Sequence, residues 1–362
     1  MQVRLRPQSK KIGTDAIFLV TGANGHVGFN LCKALLARGG HGVRASVRSL
    51  DDHAKTAPLR ALGAIELAEL NVRNRAQFDA ALVGIDTLFH VAATYRMVTG
   101  GAKDDAEMIR DSVEGVEVAL AAAARAGVRK VVLTSSVVTL PVRRRGEPPV
   151  TEADWASDLS VPYFRAKVEG EQAAWRVAGK LGLDLVALLL GGVGGPGFQR
   201  RTPTLDLIEG IMLGSLRFGA PDGNFSYVDV RDVADAHLLA AEKNAGGRFI
   251  VSNDVSPTYR EFSRVLHEID SAVPAAPMLM PGFMNRFLPL LDAVNSKLIG
   301  SPRFTTAESV ATVLGGRVYN LSNARARSEL GWAPRFTLRE SLADTMQALR
   351  ALRRAEGKRR MA

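Results

Sequence analysis

The chain has 362 residues, of which 46% are hydrophobic, so it is long enough to bury the core of a large globular domain. Its single cysteine, Cys32, excludes an internal disulfide framework, and the polar N-terminus lacks an apolar signal segment, so we expect a cytoplasmic protein. Most of the net charge of +10 lies near the two ends, which leaves a nearly neutral body and argues against a nucleic-acid partner. No apolar stretch is long enough to span a bilayer, so we expect no membrane partner either.

Between the two basic ends, which we expect to be disordered tails (residues 1–14 and 350–362), apolar runs alternate with helix-like segments. The apolar runs predict buried parallel strands, and the segments between them predict crossover helices. This alternation indicates an α/β fold with a doubly wound parallel Rossmann sheet over residues 15–190. The predicted strands are 16–20, 43–47, 65–70, 87–92, 130–134 and 184–190, and the predicted helices are 29–38, 55–62, 106–126 and 163–180.

The character of the chain changes after Gly191, where glycine and proline cluster and the apolar segments become shorter. We therefore predict that residues 191–349 form mainly a smaller, less regular substrate-binding lobe, with segments that return to the sheet. Within it, methionine, phenylalanine and leucine recur over residues 278–291, which predicts either an apolar substrate pocket or the core of a helix.

A glycine-rich segment lies between the first predicted strand and the first predicted helix. Gly22, Gly25 and Gly28 have the spacing G-x-x-G-x-x-G. The first glycine allows a tight turn, the second lets the backbone approach a pyrophosphate, and the third lets the helix pack on the strand. The N-terminus of the helix offers free N–H groups to phosphates, so this turn predicts dinucleotide binding. The other residues of the turn expected to contact the cofactor are Asn24, His26 and Val27.

The end of the second predicted strand indicates which dinucleotide binds. An NAD enzyme usually carries an acidic residue there for the ribose hydroxyls, and that carboxylate repels a 2′-phosphate. Here the strand ends at Arg48 and no acid occurs before Asp51. Because a guanidinium forms a planar, charge-assisted pair with a phosphate, Arg48 favours NADP(H) over NAD.

A second constellation predicts catalysis. Tyr163 and Lys167 stand at i and i+4, on one face of a predicted helix, and Ser135 and Ser136 close the preceding predicted strand. A phenol is a poor proton shuttle at neutral pH, but a nearby ammonium favours the phenolate. A serine at the carboxyl end of a strand can donate a hydrogen bond to a substrate oxygen.

Together these motifs resemble the extended short-chain dehydrogenase/reductases of the NAD-dependent epimerase/dehydratase superfamily, and most closely their dihydroflavonol-4-reductase-like branch. The resemblance implies an NADP(H)-dependent oxidoreductase that reduces a ketone or aldehyde, or oxidises an alcohol, on a small, fairly apolar substrate, without a metal. It also implies a monomer or homodimer. The segments that carry it are 22–28, 43–48, 88–93, 131–136, the Tyr163/Lys167 pair, 225–237 and 329–334.

The resemblance also implies residue roles. Tyr163 is the expected general acid/base, Lys167 binds the nicotinamide ribose and tunes the tyrosine, and Ser136, the last serine of its motif, polarises the carbonyl. The residues expected along the cofactor are Ala92 and Ala93, those expected near the adenine are Asn71 and Val72, and those expected at the substrate are Tyr95 and Arg96.

The chain departs from its relatives at three places. The adenine-side aspartate of many relatives is Asn71 here, whose amide can still hydrogen-bond near the adenine amine. The helix position that often carries a proton-relay asparagine is Ser112. A Leu-Pro-Ser segment of the relatives is replaced, which leaves nicotinamide placement to backbone groups near Gly191 and Val193.

Two other functions use the same fold. A sugar-nucleotide epimerase or dehydratase is the first, although the Asp-Glu pair of the dehydratases is Val137-Val138 here and the arginine of the epimerases is replaced near Asn224. A non-catalytic NADP-binding regulator is the second, although such proteins tend to lose the tyrosine or lysine. Arg143, Arg144 and Arg145 predict either a contact with an anionic substrate tail or a solvated loop.

Overall fold

The centre of the protein is a parallel sheet whose strands follow the predicted apolar runs. The computed structural model describes residues 16–92, 97, 100–299 and 305–361. The strands in this part of the chain are β1 (Ile17–Val20), β2 (Gly42–Val47), β3 (Glu66–Glu69), β4 (Thr87–His90), β5 (Lys130–Ser136), β6 (Arg143–Arg144), β7 (Leu185–Leu190), β8 (Gly192–Gly194), β9 (Tyr227–Asp229), β10 (Gly247–Val251) and β11 (Arg317–Val318).

Seven of these strands form one parallel sheet in the order β10-β7-β5-β4-β1-β2-β3, which confirms the predicted doubly wound fold. The strand order reverses between β1 and β4, and in such sheets ligands bind outside the carboxyl ends of the strands at this point. All six residues of β7 are buried, as expected of a strand whose two faces are both covered.

Helices cover both faces of the sheet. The helices are α1 (His26–Arg38), α2 (His53–Arg60), α3 (Arg75–Ala81), α4 (Ala102–Arg125), α5 (Pro162–Leu181), α6 (Pro203–Met212), α7 (Val230–Glu242), α8 (Tyr259–Ile269), α9 (Leu288–Ile299), α10 (Ala307–Val313) and α11 (Leu338–Met361). The apolar sides of α1 and α7 pack on one face of the sheet, and those of α3, α4 and α5 pack on the other. None of the described helices is both long enough and apolar enough to cross a membrane.

The segment after residue 191 builds the lobe and also returns to the sheet. Helices α6, α8 and α11 pack together around Leu205, Phe262 and Leu342, which are fully buried. Strand β10 pairs with β7 at the edge of the main sheet, and β8 pairs with β9 next to it. The lobe therefore stands at the carboxyl end of the sheet and is anchored by strands and by α7.

The prediction of a disordered basic tail at residues 350–362 is wrong, because α11 runs to Met361. Leu349 is fully buried in the lobe, Arg350 pairs with Asp270, and Arg201 donates to Glu356 at 2.5 Å. These contacts along one side of the helix hold it on the lobe. The basic tail predicted at residues 1–14 lies outside the described residues.

Candidate functional site

A cavity of about 760 Å³ opens at the carboxyl ends of the strands, with the sheet on one side and the lobe on the other. Ala93, Tyr95 and Arg96 lie outside the described residues. The predicted site residues that line the cavity are Gly22, Asn24, Gly25, His26, Val27, Gly28, Arg48, Val72, Ala92, Ser136, Tyr163, Lys167, Gly191 and Val193.

The glycine turn packs so tightly that side chains are excluded from it. Gly22 has a φ of 63°, and a Cβ atom there would lie 3.0 Å from the Cα of Ala92 at the end of β4. A Cβ atom on Gly28 would lie 2.4 Å from the carbonyl oxygen of Gly22. Helix α1 begins just after Gly25, and no side chain caps its first turn. Its free N–H groups therefore fit the pyrophosphate of a dinucleotide.

A loop of the lobe is fastened to this same helix end. The carbonyl oxygen of Pro196 lies 3.1 Å from Nε2 of His26 and accepts a hydrogen bond from Nδ2 of Asn30 at 3.1 Å. The same amide donates to the carbonyl oxygen of Gly197, and the ring of Phe198 meets that of His26 edge-on. Burial lowers the pKa of His26 to about 4, so its imidazole is neutral at pH 7. The lobe is thus joined to the predicted pyrophosphate site.

The end of β2 lies beside the glycine turn, where the N–H of Ala23 donates to the carbonyl oxygen of Ser46 at 3.1 Å, and the segment after β3 lines the cavity next to it. Arg48 is exposed in the cavity wall, and Val72 also lines it. Asn71 does not line the cavity: its Oδ1 accepts a hydrogen bond from the backbone N–H of Arg73, and its own N–H donates to Gln77. The residue predicted near the adenine therefore lies beside the wall and caps a turn.

Three further cations line the described cavity, Lys55, Arg200 and Arg217, and none of them was predicted from the sequence. Lys55 lies in the first turn of α2, where it pairs with Asp52, and Arg200 lies in the loop after β8. Arg200 is exposed at the cavity mouth, and partial removal of its guanidinium from water lowers its pKa, as does the positive charge of Arg48. The two guanidiniums are therefore close enough to repel each other.

The three predicted catalytic residues lie together in the cavity wall. Tyr163 and Lys167 stand one turn apart at the start of α5, and the ammonium of Lys167 donates to the carbonyl oxygen of Thr134 at 3.3 Å. Ser136 ends β5, and its hydroxyl lies 3.4 Å from the carbonyl oxygen of Leu190. A phenol, an ammonium and a serine hydroxyl on one wall can exchange a proton with a substrate oxygen and stabilise charge on it.

The neighbouring serine is engaged elsewhere. Ser135 donates to the carboxylate of Glu171 at 2.5 Å, and this buried carboxylate also accepts hydrogen bonds from Arg248 and Trp175. This geometry supports Ser136 over Ser135 as the serine that meets the substrate. Glu171 follows Lys167 by one helical turn, so its place on the same face could have been predicted from the sequence.

Burial sets the charges near the catalytic group. It lowers the pKa of Lys167 to about 8, while the nearby carboxylate of Glu171 opposes that shift. It also lowers the pKa of His90 to about 4, and the positive charge of Lys167 adds to the effect. Lys167 is therefore mostly an ammonium at pH 7, and His90 is neutral.

A small cavity of about 30 Å³ shares Lys167 with the large one. Ser112, His90 and Glu171 also line it, and its volume is sufficient for a water molecule. Ser112, at the position where relatives often carry asparagine, therefore lies in a water-sized space next to Lys167.

The lobe contributes an apolar wall. Met280, Met284 and Leu288 line the cavity, whereas the side chain of Phe283 is 66% exposed and that of Leu290 is 63% exposed. The segment 278–291 is thus partly a pocket wall and partly an exposed apolar rim. The alternative prediction that it forms a helix core is wrong.

The other charged groups singled out in the sequence lie away from the cavity. Arg143 pairs with Asp154 at 2.9 Å and Arg145 with Asp222 at 2.8 Å. These two arginines are therefore neutralised by the protein itself. Among the described residues, no group of three or more histidine, cysteine, aspartate or glutamate side chains is arranged to hold a metal ion.

The chain is similar to proteins of one enzyme family, among which are several reductases. The sequence profile of the NAD dependent epimerase/dehydratase family matches residues 18–252. Sterol demethylase protein B of Methylococcus capsulatus is 31% identical over 334 residues, which cover 91% of this chain and 96% of that protein. Cinnamoyl-CoA reductase 1 of Arabidopsis thaliana is 34% identical over 249 residues, which cover 64% of this chain and 69% of that protein. The solved structure of gox2253 has a TM-score of 0.77 at 28% identity, covering 92% of this chain and 98% of that one.

Proposed function

Because the chain belongs to the NAD-dependent epimerase/dehydratase family and has reductase relatives of the dihydroflavonol-4-reductase-like branch, we propose that it is an NADP(H)-dependent oxidoreductase. It reduces a ketone or aldehyde, or oxidises an alcohol, on a small, fairly apolar substrate. The observation that carries this proposal is that the glycine turn and the group of Ser136, Tyr163 and Lys167 line one cavity.

The residues of the cavity divide the chemistry between them. When bound, the nicotinamide supplies or accepts the hydride. Tyr163 gives a proton to the carbonyl oxygen in reduction and takes it from the hydroxyl in oxidation. Lys167 holds a positive charge one helical turn away, which stabilises the phenolate left behind. Ser136 donates a hydrogen bond to the substrate oxygen and orients it.

The proposal of NADP(H) rather than NAD rests on the adenosine end of the cavity. Arg48 lies in the wall at the end of β2, where an acidic residue would favour the ribose hydroxyls of NAD. Its guanidinium is exposed to the cavity and can form a bidentate pair with a 2′-phosphate.

The proposal of an apolar substrate rests on the lobe. Its wall includes Met280, Met284, Leu288 and Leu291, and methionine adapts to ligands of irregular shape. The exposed side chains of Phe218 and Phe283 extend this apolar surface around the opening. Burial of such a rim against an apolar substrate is favourable, roughly in proportion to the area covered.

The structure gives little support to a nucleotide-sugar substrate. Asn224 lies near the position where epimerases carry a diphosphate-binding arginine. Its Oδ1 accepts a hydrogen bond from the backbone N–H of Tyr319, and its Nδ2 donates to the carbonyl oxygen of the same residue. That side chain is therefore a structural tie between the lobe and the loop before β9. A purely regulatory role is not favoured either, because Tyr163 and Lys167 are both in the cavity wall.

The test is NADPH oxidation, followed by absorbance, over a panel of ketones, aldehydes, acyl-CoA thioesters and steroids. We expect turnover with at least one apolar carbonyl class and much slower turnover with NADH. Tight NADPH binding without turnover across the whole panel would contradict the enzyme and support the regulator. Epimerisation causes no net oxidation of the cofactor, so UDP-sugars are assayed separately by product analysis, and conversion of UDP-sugars alone would support the epimerase class.

A further inference from the structure

The cations of the cavity wall differ in whether the protein neutralises them. Lys55 pairs with Asp52, and the guanidinium of Arg217 stacks 4.7 Å from the ring centre of Phe218. In the part of the chain that the structure describes, Arg48 and Arg200 have neither an ion pair nor a side-chain hydrogen bond. Three guanidiniums of the described cavity wall, those of Arg48, Arg200 and Arg217, therefore lack an anion, and that of Arg217 is stacked on an aromatic ring.

The neighbour of Arg200 shows the contrast within one loop. Arg201 forms a bidentate pair with Glu209, with distances of 2.5 and 3.0 Å, and also pairs with Glu356 on α11. It is thus held by the lobe and is not among the residues that line the cavity. Arg200 lines the cavity instead, although carboxylates stand close by in the same lobe.

The loop places Arg200 against the cofactor half of the cavity. The carbonyl oxygens of Pro196 and Gly197 are bound by His26 and Asn30 of α1, next to the predicted pyrophosphate site. Arg200 follows three residues later and is close enough to Arg48 for their charges to interact. The loop of the lobe thus brings the guanidinium of Arg200 to the end of β2, where Arg48 lies.

We propose that Arg200 is a second ligand of the 2′-phosphate of NADP(H), contributed by the lobe and acting together with Arg48 on the sheet. This inference rests on the proposed NADP(H) dependence. A phosphate monoester carries a charge of about −1.5 to −2 at pH 7, so it can neutralise two guanidiniums at once. The ribose hydroxyls of NADH cannot, and the two arginines then continue to repel each other. The pair therefore selects the phosphorylated cofactor.

The pyrophosphate is the competing anion for Arg200, and NADPH and NADH both contain it. An arginine bound to the pyrophosphate supports both cofactors equally, whereas one bound to the 2′-phosphate supports only NADPH. The ratio of the two dissociation constants therefore separates these two sites.

The experiment measures the Kd of NADPH and of NADH by titration calorimetry for the wild type, Arg200→Ala, Arg48→Ala and the double variant. Arg200→Ala should weaken NADPH binding about tenfold and leave NADH binding unchanged, as expected for the loss of one charge-assisted contact. The double variant should bind both cofactors with similar affinity. Arg60→Ala, which removes an exposed arginine from α2, is the charge-matched control and should change neither constant.

Three outcomes would contradict the role of Arg200 or the NADP(H) preference on which it rests. Equal weakening of NADPH and NADH by Arg200→Ala would assign Arg200 to the pyrophosphate and overturn the inference. Unchanged binding of both would also overturn it. A wild type that binds NADH as tightly as NADPH would instead refute the proposed NADP(H) preference, before any variant is considered. Because Arg200 is exposed, its removal is not expected to unfold the protein, and circular dichroism checks this.

Discussion

Burial controls the charge of the one lysine on which the proposed chemistry depends. The pKa of Lys167 is about 8 instead of 10.5, because its ammonium is partly removed from water, and the carboxylate of Glu171 limits the shift. Most of the lysine is therefore an ammonium at neutral pH, and it loses its proton as the pH rises through about 8. A small change of pH changes the charge beside Tyr163.

This pKa predicts how the rate depends on pH. Above pH 8 the neutral amine no longer stabilises the phenolate of Tyr163, so kcat/KM for carbonyl reduction should fall as pH rises through about 8. A pH–rate profile measures the fall. In Lys167→Arg, whose guanidinium does not deprotonate, the residual activity should lose this limb. A wild-type rate that stays constant to pH 9.5 would contradict the account of Lys167.

At the scale of single residues, the sequence predicted those that belong to short local motifs. Gly22, Gly28, Tyr163 and Lys167 all line the cavity, because a strand–turn–helix unit and one helical turn bring such residues together whatever the rest of the fold does. Arg200 was not predicted, because its position depends on a loop fastened to a helix about 170 residues away. No local periodicity encodes such a contact.

At the scale of elements, a buried ion pair joins α5 to the last strand of the sheet. Glu171 of α5 accepts a hydrogen bond from Nε of Arg248 of β10 at 2.7 Å, and both side chains are almost completely buried. Arg248 also donates to Thr139 and to the carbonyl oxygens of Glu152 and Asp154. Because the same carboxylate holds Ser135, this network connects the edge of the sheet to the strand that carries Ser136.

Removing the carboxylate leaves the guanidinium of Arg248 buried without its counter-charge. Glu171→Gln should therefore lower the free energy of unfolding by about 3 kcal/mol, measured by urea denaturation. Glu169→Gln is the matched control, since the ion pair that Glu169 forms within the described structure is with Arg165, one turn away on α5, and it should cost less than about 0.5 kcal/mol. Equal losses in the two variants would contradict a role of Glu171 in holding α5 to the sheet.

Element prediction succeeded where apolar runs were long and failed where tertiary contacts decide. The buried strands were found because both faces of a covered sheet are apolar, as in β7. Helix α3 was missed because it has only seven residues, and Asn74 begins it with a side-chain cap to Gln77. The end of α11 was predicted as disordered because its charge partners, Arg201 in the loop before α6 and Asp270 just after α8, lie far away in the sequence.

At the scale of the whole molecule, the site exists only because two parts of the chain meet. The sheet supplies the glycine turn, Arg48 and the catalytic group, and the lobe supplies the loop with Arg200 and the apolar wall. The meeting is held by hydrogen bonds between α1 and the loop at Pro196. Cofactor and substrate can therefore share one cavity, with the phenol of Tyr163 in its wall.

The measurement that tests this account most directly uses NADPH with deuterium at both hydrogen positions of C4 of the nicotinamide, together with a carbonyl substrate identified in the panel. The wild type should transfer the deuterium to the former carbonyl carbon. Tyr163→Phe should lower kcat about 1,000-fold, because it lacks the proton donor, and should leave the Kd of NADPH unchanged. Wild-type turnover by Tyr163→Phe, or an alcohol product without deuterium, would contradict it.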